Sequence, residues 1–395
     1  MNGMTDAVIR KRRVFHLPGF DPAPPAAVKR RFTRELRRFE KTWSAQAAVS
    51  DIGANDETWR VTASGPNWSV ETNFRLVAWN DVIEALAEKP TWLRVPQGLL
   101  AFLDFAVNAL PRYLRANWRY AGFFLYPFVM FAALAALAIS IGRYAASASG
   151  YLLAGLAVAL AIFALLWQWP GRRLFLHLLF DDWSFSRAYV RAGDPAMEAK
   201  LGRTAREVVA AACEGEYDEV VVIGHSLGAM LAIDVLDRAL QLEPELGQKG
   251  ARVALISVGS SILKIGLHTS AARFRASVEC VASAPGIFWG DYQAISDIMN
   301  FYKRDPLSAM GLPTRNVPLV RMVRIRHMLD PAVYKRIRYR PLRMHLQFVS
   351  GNNIRNAYDY FMLVCGPLSA ERQVRGLGAL SAVGPDGALI EGASA

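Results

Sequence analysis

The stretch from Glu219 to Leu240 reads EVVVIGHSLGAMLAIDVLDRAL, and its reading decides the fold. Val220-Val221-Val222-Ile223 is an apolar, β-branched run that reads as a buried strand. Gly224-His225-Ser226-Leu227-Gly228 follows. From Ala229 to Leu240 apolar residues recur at helical spacing, with acids at Asp234 and Asp237. G-x-S-x-G between a strand and a helix is a turn sharp enough to strain the serine backbone. Gly224 and Gly228, two residues before and two after Ser226, remove the Cβ atoms that would clash there. Such a turn holds the Ser226 hydroxyl clear of the sheet, at the positive end of the following helix. A tight strand-to-helix turn with a spectator serine is the alternative.

Working outward, Val14 to Phe20 reads as a strand that ends in a Pro18-Gly19 turn. Ala26 to Trp43 reads as a basic amphipathic helix with Phe32, Leu36, Phe39 and Trp43 on one face. Short strands are expected over Ala45–Ser50, Glu57–Ala63 and Trp68–Ala78, and a helix starts near Trp79. Met197 to Glu214 reads as the helix before the central strand, and Ala251 to Val258 as the strand after the serine helix. Phe274–Ala282 and Gly286–Ile295 are further strand candidates. The Gly/Ala-rich tail, residues 377–395, is expected to be disordered.

Two segments break the soluble pattern. Ala121 to Ile141 and Gly150 to Trp169 contain no charge. Each has about 20 residues, long enough as a helix for the ~30 Å hydrocarbon layer. Arg143 is the one basic residue between them, whereas Arg112, Arg115, Arg119, Arg172 and Arg173 flank them. The positive-inside rule then puts both flanks, both termini and the soluble part in the cytoplasm. Trp118, Tyr120, Trp167 and Trp169 sit where an aromatic belt would. The alternative is a pair of buried core helices. Pro96 to Leu110 is apolar but interrupted by Asp104, and suits an interfacial or buried helix better than a span. The expected organisation is residues 1–110 as the first part of the soluble fold, 111–173 as a transmembrane hairpin (spans 121–141 and 150–169) and 174–376 as the main part.

The segment around Ser226 resembles the nucleophile elbow of the α/β-hydrolase superfamily, serine esterases and lipases included. The resemblance covers Val14 to Trp43 loosely and Met197 to Pro367 better. It implies an α/β fold, a mainly parallel sheet flanked by helices and here interrupted by the membrane hairpin. It also implies a base and an acid after the serine in the chain. His345, in Arg343-Met344-His345-Leu346, is the favoured base; His268 and His327 are the other histidines after the serine. Asp297, where the strand candidate over Gly286–Ile295 should have ended, is the favoured acid, with Asp305 as its alternative and Asp291 inside that strand. Trp289-x-Asp291-x-x-Ala294-x-x-Asp297, with the later Asp305-Pro306, resembles a segment of bacterial membrane-anchored α/β-hydrolase-like proteins. His16-Leu17-Pro18-Gly19-Phe20 is similar to the loop whose N–H, with that of Leu227, forms the oxyanion hole, so Gly19 and Phe20 are candidates. It departs from the family by placing Leu17-Pro18 between the histidine and the glycine. His225, beside the nucleophile, should point away from the hydroxyl and serve packing or substrate contact.

Composition narrows the function classes. The chain is 53% hydrophobic with a net charge of +12, a balance that fits anionic lipid better than nucleic acid here. No nucleic-acid module is recognisable, and Cys213, Cys280 and Cys365 form no metal spacing or disulfide framework. No metal or other cofactor is expected. The first 20 residues have no apolar core with a cleavage site, so no signal peptide is expected there. Arg321 to Arg343 is dense in cations and is either a solvated face or a headgroup-facing surface. The leading function is a membrane-anchored serine hydrolase acting on a carboxylic ester, lipid esters included. Its rivals are an acyltransferase using the same serine and a non-catalytic membrane scaffold or lipid-binding protein on the same fold.

Overall fold

In the computed structural model the run Val220-Val221-Val222-Ile223 is fully buried at the centre of an eight-stranded sheet. The structure describes residues 8–52, 55–191, 193–313 and 318–390. The strands are β1 (Lys11–Leu17), β2 (Gln46–Asp51), β3 (Thr58–Gly65), β4 (Trp68–Leu76), β5 (Glu219–His225), β6 (Arg252–Val258), β7 (Ile287–Ala294) and β8 (Leu319–Val323). Their order across the sheet is β2-β3-β4-β1-β5-β6-β7-β8. β3 alone runs against its neighbours, and all pairs from β4 to β8 are parallel. This is an α/β architecture with a mixed, mostly parallel sheet flanked by helices.

Strand alternation sends Val14, Val221, Ile223, Ala254 and Ile256 into one apolar core. The Pro25–Trp43 and Tyr360–Cys365 helices fill it with Val28, Phe32, Leu36, Phe39, Phe361 and Val364. The opposite face is covered by the Pro195–Cys213, Gly228–Leu242 and Ala272–Ser283 helices. Ala272–Ser283 is a correction to the strand expected over Phe274–Ala282. Arg275 and Glu279 break up the apolar residues enough to mimic a strand. The buried positions, Phe274, Ser277, Val278 and Val281, follow the helical repeat instead.

The chain divides into two compact units: Met1–Asp81 with Asp194–Leu267 and Ala271–Ala395, and Val82–Gly193 with His268–Ser270. The second is wider than the 111–173 hairpin read from hydropathy. Its Thr91–Asn108 helix is tied to the Leu176–Arg191 helix by Arg94–Asp181 (3.0 Å) and Arg191–Asp104 (3.0 Å), and Gly98 packs on the Phe180 ring. Asp104, which interrupts an apolar stretch, thus finds cations within the unit. The helical stretches Trp118–Ser149 and Leu152–Arg173 are long and apolar enough to cross a membrane. Only 22% and 11% of their most apolar windows are buried, which weighs against soluble core helices. They approach closely where Gly142 meets Gly155: a Cβ on Gly142 would lie 2.6 Å from the Gly155 carbonyl oxygen.

The tail is also corrected. Residues 377–390 fold back on the first unit, with a helix over Ala379–Ala382 and a bridge between Val383 and Leu389. The Trp68 indole donates to the Gly387 carbonyl (2.8 Å), and Arg355 to that of Gly384 (2.6 Å). Composition alone missed these partners because they come from distant parts of the chain. Residues 391–395 lie outside the described residues, as do 1–7 of the N-terminal stretch read for a signal peptide.

A buried ion pair locks the base of the sheet. Arg12 on β1 bonds Glu219 on β5 at 2.8 Å, and both side chains are out of solvent. The guanidinium also donates to the carbonyls of Gly366 (2.8 Å) and Leu368 (2.6 Å), and Glu219 accepts from Ala370 N–H (2.7 Å). Removing one partner leaves a buried charge uncompensated, at a cost of about 3–5 kcal/mol. Arg12→Met is expected to lower the thermal unfolding midpoint of the detergent-solubilised protein strongly, and the added Glu219→Gln to recover part of the loss. An unchanged midpoint in the single variant would show that the pair is not structural.

Candidate active site

β5 ends at His225, and the next residue, Ser226, has φ 55°, in the left-handed region that a serine seldom adopts. Backbone bonds hold it there. Ser226 N–H donates to the Val258 carbonyl, and Ser226 O accepts from the amides of Ala229 and Ser261, each at 3.1 Å. The flanking glycines permit the turn: a Cβ on Gly224 would lie 2.3 Å from Ala229 Cα, and one on Gly228 2.0 Å from the Leu17 carbonyl oxygen. The Gly228–Leu242 helix starts at once, so its amino end sits at the serine, with Leu227 as the residue between.

The loop after β1 lies against this turn. A Cβ at Gly19 would come within 2.8 Å of Ser226 Cβ and 3.3 Å of its Oγ. The Trp79 indole donates to the Pro18 carbonyl at 2.9 Å, and its ring meets Phe20 edge-on at 5.6 Å. Gly19 therefore lies against Ser226, with Phe20 and Leu227 the residues that follow each of them in the chain.

The base and acid candidates converge from two later segments. β7 ends at Ala294, and Asp297 sits three residues on in a buried turn. Asn300 Nδ2 steadies that turn by donating to the carbonyls of Ala294 (3.0 Å) and Asp297 (3.1 Å). His345 lies in the Pro341–Leu346 helix after β8, the last strand. Its Nδ1 is 2.7 Å from Asp297 Oδ2, and Asp297 Oδ1 accepts from Met299 N–H at 2.9 Å. An ionised carboxylate only accepts, so Nδ1–H donates and the Nε2 lone pair is left for a proton. Among the described residues that buried Nε2 has no hydrogen-bond partner. His345 stands beside the elbow: a Cβ on Gly259, next after Val258, would meet its Cε1 at 3.1 Å. The His225 ring packs at a tilt against the His345 ring, centroids 4.5 Å apart, with His225 Nε2 3.3 Å from the His345 carbonyl oxygen. Burial holds His225 well below the ordinary histidine range, so it stays neutral against that carbonyl.

The remaining candidates are elsewhere. Asp305 caps the Pro306–Met310 helix, accepting from Leu307 and Ser308 N–H at 3.1 Å each. Asp291 is buried within β7, bonded by Ser257 Oγ (2.5 Å) and Gln293 Nε2 (2.7 Å). His268 belongs to the second unit, with its Nε2 3.4 Å from Asp104. His327 is exposed and accepts from Arg326 Nε at 3.0 Å. Sequence reading singled out neither Asn300 nor the contact between His225 and His345. Both depend on chain segments brought together only in the fold. Among the described residues no group of three or more His, Cys, Asp or Glu side chains is placed to hold a metal.

A cavity of about 590 Å³ opens at the other end of the sheet, lined by Glu219, Arg252, Ile287 and Trp289 among others. These residues belong to the amino-terminal ends of β5, β6 and β7, so the cavity lies away from Ser226. Size alone does not mark the site. In open parallel sheets ligands sit beyond the carboxyl ends of the strands. No family model, curated protein or solved structure matches the chain.

Burial pushes the Asp291 carboxyl up to about 6, against the donors from Ser257 and Gln293. In the unfolded chain an aspartate titrates near ~3.9. Between those values the folded protein binds a proton that the unfolded chain does not, so stability falls as pH rises from about 4 to 6. Asp359, likewise buried and raised to about 6, acts in the same direction. Asp291→Asn is expected to make this decline shallower in unfolding curves taken across that range. An unaltered slope would remove Asp291 as a contributor.

Proposed function

We propose that the chain is a membrane-anchored serine hydrolase of the α/β-hydrolase type that cleaves carboxylic esters through an acyl-enzyme on Ser226. The observation that carries this reading is the buried Asp297–His345 pair beside a serine held at positive φ. His345 Nε2 takes the Ser226 proton as Oγ attacks the carbonyl carbon. The Asp297 carboxylate holds the imidazole in the productive tautomer and stabilises the imidazolium. Backbone N–H groups of Leu227 and of the Gly19-Phe20 loop receive the oxyanion, each donor contributing about 3 kcal/mol. His345 then protonates the leaving alcohol. Water, deprotonated by the same nitrogen, releases the acid and frees the serine.

The two apolar helices support a membrane anchor. The arginine asymmetry around them supports the cytoplasmic membrane, with the soluble unit and both termini on the cytoplasmic side. A site tethered to a bilayer makes lipid esters the natural substrates. An acyltransferase would use the same residues and differs only in the acceptor; a scaffold would retain the fold without turnover.

Purified protein in nanodiscs is expected to hydrolyse nitrophenyl and glycerol esters. His345→Ala and Asp297→Asn should lower kcat by about three to four orders of magnitude. Asp305→Ala should keep kcat near wild type unless losing the helix cap unfolds the segment, which circular dichroism would reveal. Products formed with added alcohol separate hydrolysis from transfer. No turnover of any ester by folded protein would favour the scaffold, and full activity in Asp297→Asn would overturn the acid assignment.

A further inference from the structure

From Arg321 to Tyr358 the sequence contains a single acid, Asp330. Within this stretch the Pro331–Ile337 and Pro341–Leu346 helices form an arm that leads directly to His345. The arm is two-faced. Val333, Tyr334 and Ile337 turn inward and pack on the main apolar core. Lys335, Arg336, Arg338, Arg340 and Arg343 are exposed on the outside.

Some surface cations elsewhere in the same unit find carboxylates. On the Pro25–Trp43 helix, Lys29 pairs with Asp56 (3.2 Å), Arg31 with Asp21 (2.8 Å) and Arg38 with Glu35 (2.9 Å). None of the five arm cations has a carboxylate within ion-pair range among the described residues. Like charges this dense repel one another unless an external anion neutralises them. An ordinary solvated face mixes signs, as the Pro25–Trp43 helix does. Tyr339, 80% exposed and with the Arg338 guanidinium 4.5 Å above its ring, sits in the middle of the cations. A tyrosine among cations is the side-chain pairing that favours the headgroup layer of a bilayer, apolar body inward and hydroxyl to water.

We propose that the 331–343 arm docks on the surface of a bilayer containing anionic phospholipid, with Lys335, Arg336, Arg338, Arg340 and Arg343 on the phosphates and Tyr339 in the headgroup layer. The inference rests on the reading of the two apolar helices as a membrane anchor, which gives the arm a bilayer within reach. Because the arm runs into the helix that carries His345, docking would set the candidate site at the lipid surface. The proposal deepens the substrate reading to esters presented by an anionic leaflet.

The test is hydrogen–deuterium exchange on the full chain in nanodiscs, carried out on Ser226→Ala so that no turnover intervenes. Exchange in the 331–346 peptides is compared between phosphatidylcholine alone and a mixture with phosphatidylglycerol. The anionic mixture is expected to slow exchange there about tenfold or more, since each cation near such a surface contributes an appreciable share of the binding. High salt should reverse the effect. Changing Lys335, Arg336, Arg338 and Arg340 together to Gln should abolish it, while lysine at the three arginine positions should keep it. Exchange patterns in the sheet report whether either variant is folded. Equal exchange in both lipids, an effect insensitive to salt, or the same slowing by duplex DNA added to phosphatidylcholine discs would overturn the proposal. Failure here leaves the serine chemistry standing, and absence of ester cleavage leaves this result unaffected.

Discussion

The arrangement depends on one constrained residue, Ser226, held in the left-handed region at the end of a fully buried parallel strand. An L-residue pays about 1–2 kcal/mol for that conformation. The surroundings over-determine it through the Val258 carbonyl and the amides of Ala229 and Ser261. Once the turn is set, the neighbouring geometry follows. The serine helix must begin at once and pass over the β1 loop, which demands glycine on both sides. Beside that turn, His225 lies against the His345 backbone. Parallel alignment of β1, β5, β6 and β7 then brings their carboxyl ends, and the loops that follow, to one edge of the sheet.

Much of this was legible from local signals. Val220-Val221-Val222-Ile223 allows little besides a buried strand. The glycine spacing around Ser226 is a backbone requirement written directly into the chain, and the aromatic face of the Pro25–Trp43 helix follows the helical period. Asp297 was harder. Position in the sequence left Asp291, Asp297 and Asp305 all open, and what separates them is their partners. One is bonded within β7, one reaches His345 and one caps a helix. The error at 274–282 came from polar residues that interrupt an amphipathic helix at intervals resembling a strand. The tail, 377–390, looked featureless because its hydrogen-bond partners, Asn67, Trp68 and Arg355, are remote in sequence. Local composition reports on local preference, and these two segments are held by long-range contacts.

Charge is distributed with the same logic. Inside the first unit, Arg12 and Glu219 are paired and hydrogen-bonded, because a lone buried charge would be prohibitive. In the second unit Asp104 and Asp181 are each met by arginine. The cations of the 331–343 arm are different: they are exposed, and among the described residues none has a carboxylate within ion-pair range. A single structural rule, that every charge needs a partner or water, accounts for the first two cases. Water satisfies it for the third as well; what sets the arm apart is five cations crowded together with no acid among them.

The proposed chemistry requires that Ser226 be an activated nucleophile. The most direct measurement is mass-spectrometric mapping of the adduct formed when membranes containing the full chain react with a fluorophosphonate. The expected result is one phosphonylated residue, Ser226, and no adduct in folded His345→Ala. An adduct elsewhere with Ser226 unmodified, or none in folded wild-type protein, would contradict it.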